Sequence, residues 1–169
     1  MFDFNGGAPV AGYSYTGGTI FTHSVANVAA APAGDTTPFL AVQQGDTATF
    51  TFAKAIKSFS IYIGSVDSFN SLHFTGPGYD SGVFSASMLP GGDNGNQVNG
   101  DTNRRFFFTF NGGQSVKTVT LGSAGNSFEI DNIAVANVPE PATWAMLVGG
   151  FGLIGFARRR KSTLETVAA

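Results

Sequence analysis

The chain contains no cysteine among its 169 residues. Disulfides, thiolate metal sites and a cysteine nucleophile are excluded together, so an exported form of this chain has to draw its stability from its core. Charge is sparse at 12%. Before position 138 the basic residues are Lys54, Lys57, Arg104, Arg105 and Lys117, outnumbered by the acidic ones, and this balance leaves no nucleic-acid footprint. Only two histidines occur, His23 and His73, each in or beside an expected strand with no motif around it. A hydrolytic triad needs a positioned base, and a strand histidine is the simpler reading of both. No G-x-S-x-G, HExxH or paired-histidine spacing is present. No long amphipathic helical pattern precedes residue 138.

What the chain has in abundance is phenylalanine, 17 residues, and glycine, 23 residues. The first supplies apolar mass and the second supplies turns. Ala48, Phe50 and Phe52 alternate with Thr47, Thr49 and Thr51, and Phe59, Ile61 and Ile63 alternate with Ser58, Ser60 and Tyr62. A period of two marks strands with one buried and one wet face. Further strands are expected at 19–25, 72–75, 83–86, 105–110, 116–121 and 127–136. Breakers such as Gly45-Asp46, Gly76-Pro77-Gly78, Gly112-Gly113 and Gly125-Asn126 separate them. The pattern predicts an all-β, antiparallel, jelly-roll-like β-sandwich over residues 1–137.

The composition changes at Val138. Pro139-Glu140-Pro141 can continue neither a strand nor a helix interior. Residues 142–157 carry no charge, and Arg158, Arg159, Arg160 and Lys161 follow without a gap. At about 1.5 Å per residue the apolar run is about 24 Å long as a helix, rising to about 28 Å from Pro139. A bilayer core is about 30 Å thick, so one transmembrane helix at about 142–157 just suffices if the arginines snorkel. Trp144 stands where an interfacial aromatic is favoured, and the basic cluster is expected to stay cytoplasmic, with residues 162–169 as a short cytoplasmic tail. Gly150-Phe151-Gly152-Leu153-Ile154-Gly155 matches GxGxxG, but too few residues follow to build a dinucleotide unit. Small residues for helix packing in lipid are the better reading.

The order Pro139-Glu140-Pro141, Trp144-Ala145, glycine-rich apolar run and arginine cluster resembles the PEP-CTERM sorting signal in its PEPxxWA variant. The resemblance covers residues 138–161. It implies processing by an exosortase, a membrane-embedded cysteine transpeptidase-like enzyme of Gram-negative bacteria that make extracellular polysaccharide. It also implies a membrane-anchored precursor in the inner membrane and a mature domain in the periplasm or on the cell surface. An exported domain needs a leader with a basic n-region and an apolar h-region. Residues 1–7 carry neither, so the leader is expected upstream of Met1.

Two body segments also resemble one group of exosortase-dependent surface proteins: residues 62–72, Tyr62-Ile63-Gly64-Ser65-Val66-Asp67-Ser68-Phe69-Asn70-Ser71-Leu72, and residues 125–134, ending Glu129-Ile130-Asp131-Asn132-Ile133-Ala134. No activity follows from that group. The second segment is also similar to the final strand of jelly-roll carbohydrate-binding modules. The function expected is therefore that of a non-enzymatic surface protein associated with extracellular polysaccharide. A glycan-binding module is the alternative and a secreted hydrolase a distant third.

Candidate glycan contacts are Tyr62 and Phe69, which can stack on a sugar ring, and Asp67, Asn70 and Asp131, which can bond its hydroxyls. Ser65, Asp67, Ser68 and Asn70 are equally a turn-capping set. Asp67, Glu129 and Asp131 offer carboxylate pairs of the kind glycoside hydrolysis uses, but any acidic domain offers such pairs by chance. The polar run from Asp93 through Asn94, Asn96, Asn99 and Asp101 to Asn103 has the oxygen content of a calcium loop. It lacks the EF-hand order, since Arg104 stands at the glycine position and Phe110 at the bidentate glutamate, and it reads as a turn-rich loop. No catalytic residue, metal ligand set or cofactor is expected.

Overall fold

The computed structural model describes residues 2–6, 12–137 and 151. The chain divides into two units, Met1–Asn137 and Val138–Ala169. The expected transmembrane helix apart from residue 151, the sorting residues Pro139, Glu140, Pro141, Trp144 and Ala145, and the cluster Arg158, Arg159, Arg160 and Lys161 lie outside the described residues. Among the described residues no helix is long and apolar enough to cross a membrane.

The first unit is all-β and antiparallel. Its strands are β1 (Tyr13–Gly17), β2 (Thr19–Phe21), β3 (Phe39–Val42), β4 (Thr47–Gly64), β5 (Asn70–Gly76), β6 (Tyr79–Asp80), β7 (Phe84–Ser85), β8 (Arg104–Thr109), β9 (Val116–Ser123) and β10 (Phe128–Asn137), with one 3₁₀ turn, Ala86–Met88. The hydrogen-bonded order is β2-β3-β10-β4-β9-β5-β6, with β1 and β8 also paired to β4 and β7 to β5.

The 18-residue β4 organises the fold. The alternation predicts two strands here, and the structure joins them into one. The first half of β4 pairs with β1 and β9. The second half pairs with β10 and β8. Between them the inward positions change from even (Ala48, Phe50, Phe52, Ile56) to odd (Phe59, Ile61, Ile63), across an irregularity in the β9 register between Thr51 and Ile56. The six side chains of the two alternating runs are buried as predicted, Ile56 between the runs is buried as well, and all seven join one core. The halves belong to two layers. Phe74 of β5 lies 5.9 Å from Phe59 and 4.9 Å from Phe108 of β8, ring centroid to ring centroid, and β5 is hydrogen-bonded to neither strand. This is sheet-on-sheet packing of a β-sandwich, with aromatic rings interdigitating.

Three strands escape the sequence pattern: β1, β3 and the two-residue β6. β3 is buried at every position because both of its faces are covered. Leu40 and Val42 enter the main core, while Phe39 and Ala41 pack with Ala29, Phe21 and Ala31 in a second cluster. A continuous apolar run carries no period-two signal. β1 was not marked either; Tyr13 and Tyr15 pack on the core edge against Phe52 and Phe50. The strand expected at 19–25 ends at Phe21, because residues 25–29 close a turn with Val25 and Ala29 bridged.

Candidate functional site

Loops converge at one end of this framework. Residues 65–69 leave β4 through Ser65, which has φ 43°. Asn70 closes their turn: its Oδ1 accepts from Asp67 N at 2.8 Å, and its own N–H donates to Asp67 O at 3.1 Å. The loop at 93–103 docks on this turn through Val66 N to Thr102 O at 2.9 Å, Ser68 N to Asp93 O at 3.1 Å and Gly95 N to Val66 O at 3.0 Å. Gly95 has φ +66°, and a Cβ there would stand 2.4 Å from Asp67 Oδ1, so only glycine fits beside that carboxylate. The side-chain oxygens of Asn94, Asn96 and Asn99 are used within the 93–103 loop, and that of Asn103 outside it. Asn96 Oδ1 accepts from Val98 N and Asn99 N, Asn99 Oδ1 accepts from Asp101 N, and Asn103 Oδ1 reaches out to Ala33 N and Ser65 N.

Glu129 ties the segments together. It stands on β10, is 2% exposed, and accepts from Ala30 N at 3.0 Å, Ser65 Oγ at 3.0 Å and the Ser127 hydroxyl. The Ser127 hydroxyl also lies 3.0 Å from Val28 O, and Asn126 Nδ2 donates to Asn27 O at 2.9 Å. One buried carboxylate thus gathers three segments, each supplying a donor that burial would otherwise leave unpaired.

Between these segments lies an open, mostly polar cleft of about 580 Å³, lined by residues that include Ser24, Asn27, Asp67, Phe69, Asn94 and Gln97. Asp67 is pushed up to about 6, first by burial and then by the neighbouring carboxylates of Glu129 and Asp93. The ring of Phe69 is backed by Gly125, where a Cβ would come within 2.9 Å of three ring carbons.

Of the five expected glycan contacts, Asp67 and Phe69 line this cleft. Asn70 does not: it is 1% exposed, its side chain turned onto Asp67 N, Ser123 Oγ and Ser127 O. Asp131 and Tyr62 are register partners on the β10–β4 ladder. Asp131 is fully buried, and the Tyr62 hydroxyl donates to Ala33 O at 2.8 Å. Burial pushes the Asp131 carboxyl up to about 7. Burial, and then Asp35, push the Tyr62 hydroxyl upward. Asn70 and Asp131 are therefore structural as they stand, and the five residues do not form one site. The carboxylate pair nearest the cleft is Asp67 with Glu129, and Glu129 is spent on three donors. Asn27, Gln97 and Asn126 also line the cleft, and so does Asn94 from the polar 93–103 run. The only signal of the first three in sequence was membership of Asn- and Gly-rich turns.

No curated protein matches the chain. Among solved structures the unit is similar to CsCBM6-3 from Clostridium stercorarium in complex with cellobiose, at 14% identity and TM-score 0.39, over 74% of this chain and 87% of that one. It is also similar to the catalytic domain of a GH87 alpha-1,3-glucanase in complex with tetrasaccharides, at 15% identity and TM-score 0.41, over 78% of this chain and 27% of that one. A third similar structure is the thermostable GH87 alpha-1,3-glucanase catalytic unit from Streptomyces thermodiastaticus, at 13% identity and TM-score 0.37, over 78% of this chain and 28% of that one. The chain thus spans between a quarter and a third of the glucanase chains it matches. In its C-terminal part, residues 137–161 match the model of the PEP-CTERM protein-sorting motif, and the chain carries that sorting signal.

Proposed function

We propose that this is a non-enzymatic surface protein, exported, processed by an exosortase and associated with the extracellular polysaccharide of its host. The observation that carries the reading is the sorting motif at residues 137–161, placed directly after the last strand of a folded β unit. In this reading residues 1–137 are a jelly-roll-like surface domain. Pro139, Glu140, Pro141, Trp144 and Ala145 are the recognition segment, residues 142–157 the transmembrane helix, and Arg158, Arg159, Arg160 and Lys161 the cytoplasmic stop. The precursor sits in the inner membrane, and the mature domain in the periplasm or on the cell surface.

A second reading rests on the loop-end cleft. Its lining is rich in hydroxyl, amide and carboxylate groups beside one aromatic ring, which suits a hydroxyl-rich ligand such as a glycan better than an apolar one. The engagement of Glu129 by three donors supports binding over hydrolysis. The sorting reading is tested by giving the chain a working leader, replacing Arg158, Arg159, Arg160 and Lys161 by glutamine, and fractionating cells that contain an exosortase. Retention and processing are expected to weaken, because the positive flank sets orientation. Unchanged processing and location count against it.

A further inference from the structure

Away from the cleft, a half-buried carboxylate and a fully buried one meet with no cation among the described residues to balance them. Asp131 stands on β10 and Asp35 in the segment that covers this face of the sheet. Thr37 Oγ1 lies between them, 2.6 Å from Asp35 Oδ1 and 3.4 Å from Asp131 Oδ2. The inner oxygens are satisfied: Asp35 Oδ1 also accepts from Thr37 N at 2.9 Å, and Asp131 Oδ2 lies 2.6 Å from the Asn132 side-chain amide. The other two, Asp35 Oδ2 and Asp131 Oδ1, are buried and receive no donor from the rest of the protein, and the two side chains lie within hydrogen-bonding reach of each other. Neither carboxylate has a cationic partner among the described residues. Arg105 is directed elsewhere, its Nη1 donating to Ser60 Oγ at 3.1 Å and Asn132 O at 2.7 Å.

A buried carboxylate oxygen without a donor is strongly disfavoured, and two facing one another more so. Either a proton shared by the two side chains or a cation has to lie between them. Every group at the site offers oxygen: two carboxylates, one hydroxyl and the Asn132 amide, whose oxygen and nitrogen can exchange places. Oxygen-only donors carrying two negative charges suit a hard divalent cation, calcium before magnesium because the arrangement is irregular. Asn132 follows Asp131 with φ 54°, at a register break in the β10–β4 ladder between Asp131 and Ala134. The break frees local backbone groups from the ladder.

We propose that Asp35, Thr37 and Asp131 form a calcium site that clamps the covering segment onto β10. With two carboxylates, and no group of three or more acidic or histidine ligands among the described residues, the site is a weak one. Its affinity falls in the range of extracellular modules, about 10⁻⁴–10⁻³ M.

The test uses the full chain in detergent micelles, stripped with EDTA and held at one neutral pH. Melting is followed by circular dichroism as calcium chloride or magnesium chloride is added. Calcium is expected to raise the melting temperature, saturating in the range above, with a smaller response to magnesium. Asp35→Asn, in a half-exposed segment, is expected to fold and to lose the calcium increment, and Asp131→Asn likewise. Terbium titration of the unsubstituted chain, with calcium as competitor, reads occupancy without any variant. A melting temperature indifferent to calcium but falling as pH rises from 5 to 8 assigns a shared proton to the pair and overturns the proposal. An equal response to magnesium, or an increment surviving in Asp35→Asn, overturns it as well.

Discussion

Replacing Glu129 separates two roles a carboxylate in a cleft can play. Glu129 is 2% exposed and accepts from Ala30 N, Ser65 Oγ and Ser127 Oγ. Hydrogen bonds to a charged acceptor contribute about 1.5–3 kcal/mol each, but the three share one desolvation cost and do not add. Glu129→Ala strands all three donors beside a cavity, and a loss of about 3–5 kcal/mol is expected, in line with breaking a buried charged group's network. Glu129→Gln keeps the shape. Its amide oxygen can still accept from Ala30 N, which has no other role, and from Ser127 Oγ. Its amide NH₂ can donate to Ser65 Oγ, because a hydroxyl rotates to accept. Only the charge assistance is lost, about 1 kcal/mol. The gap between the variants should therefore be about 2–4 kcal/mol, large against a total stability of about 5–15 kcal/mol. Urea titration followed by far-UV circular dichroism measures it. If Ala costs less than about 1 kcal/mol, Glu129 is not the tie described here and is free for a ligand or for chemistry. If Gln costs as much as Ala, the charge itself is what the site needs, and the hydrogen-bond account fails.

Two further expectations follow. Asp67 is raised from 3.8 to about 6 in the folded chain, so the folded state holds the extra proton between those values and stability falls as pH rises through them, then levels off. The full shift corresponds to a ceiling of about 3 kcal/mol, and screening in the open cleft brings the expected loss to about 1 kcal/mol. Asp67→Asn should abolish this slope and be the more stable protein at pH 7, and a variant that keeps the slope refutes the assignment. In the core, Phe52→Ala should cost about 3–5 kcal/mol, whereas exposed Thr51→Ala, on the other face of β4, should cost under about 1 kcal/mol. The reverse order in denaturant would invert the parity of β4.

The sequence by itself determined much of this protein. Alternation at 47–52 and 58–63 identified the buried faces of β4, because a strand with one wet side must place alternate residues in the core. Proline punctuation, an uncharged run and four consecutive cations marked the sorting signal, because its elements lie in order along one short stretch and need no tertiary partner. Other features were decided only by the tertiary structure. β3 was illegible because burial on both faces erases the alternation, and the join of β4 across two layers was hidden because its parity changes within the strand. At the cleft, Asp67 and Phe69 could be marked from their local turn. Glu129 stands out in the sequence only as one of three acids that could pair, with Asp67 and Asp131, since its structural part lies in donors from Ala30, Ser65 and Ser127. Asn70 and Asp131 looked available because polarity can be read in sequence and burial cannot. Asp35 and Asp131 are 96 positions apart, and only folding sets two of their oxygens in the same buried place.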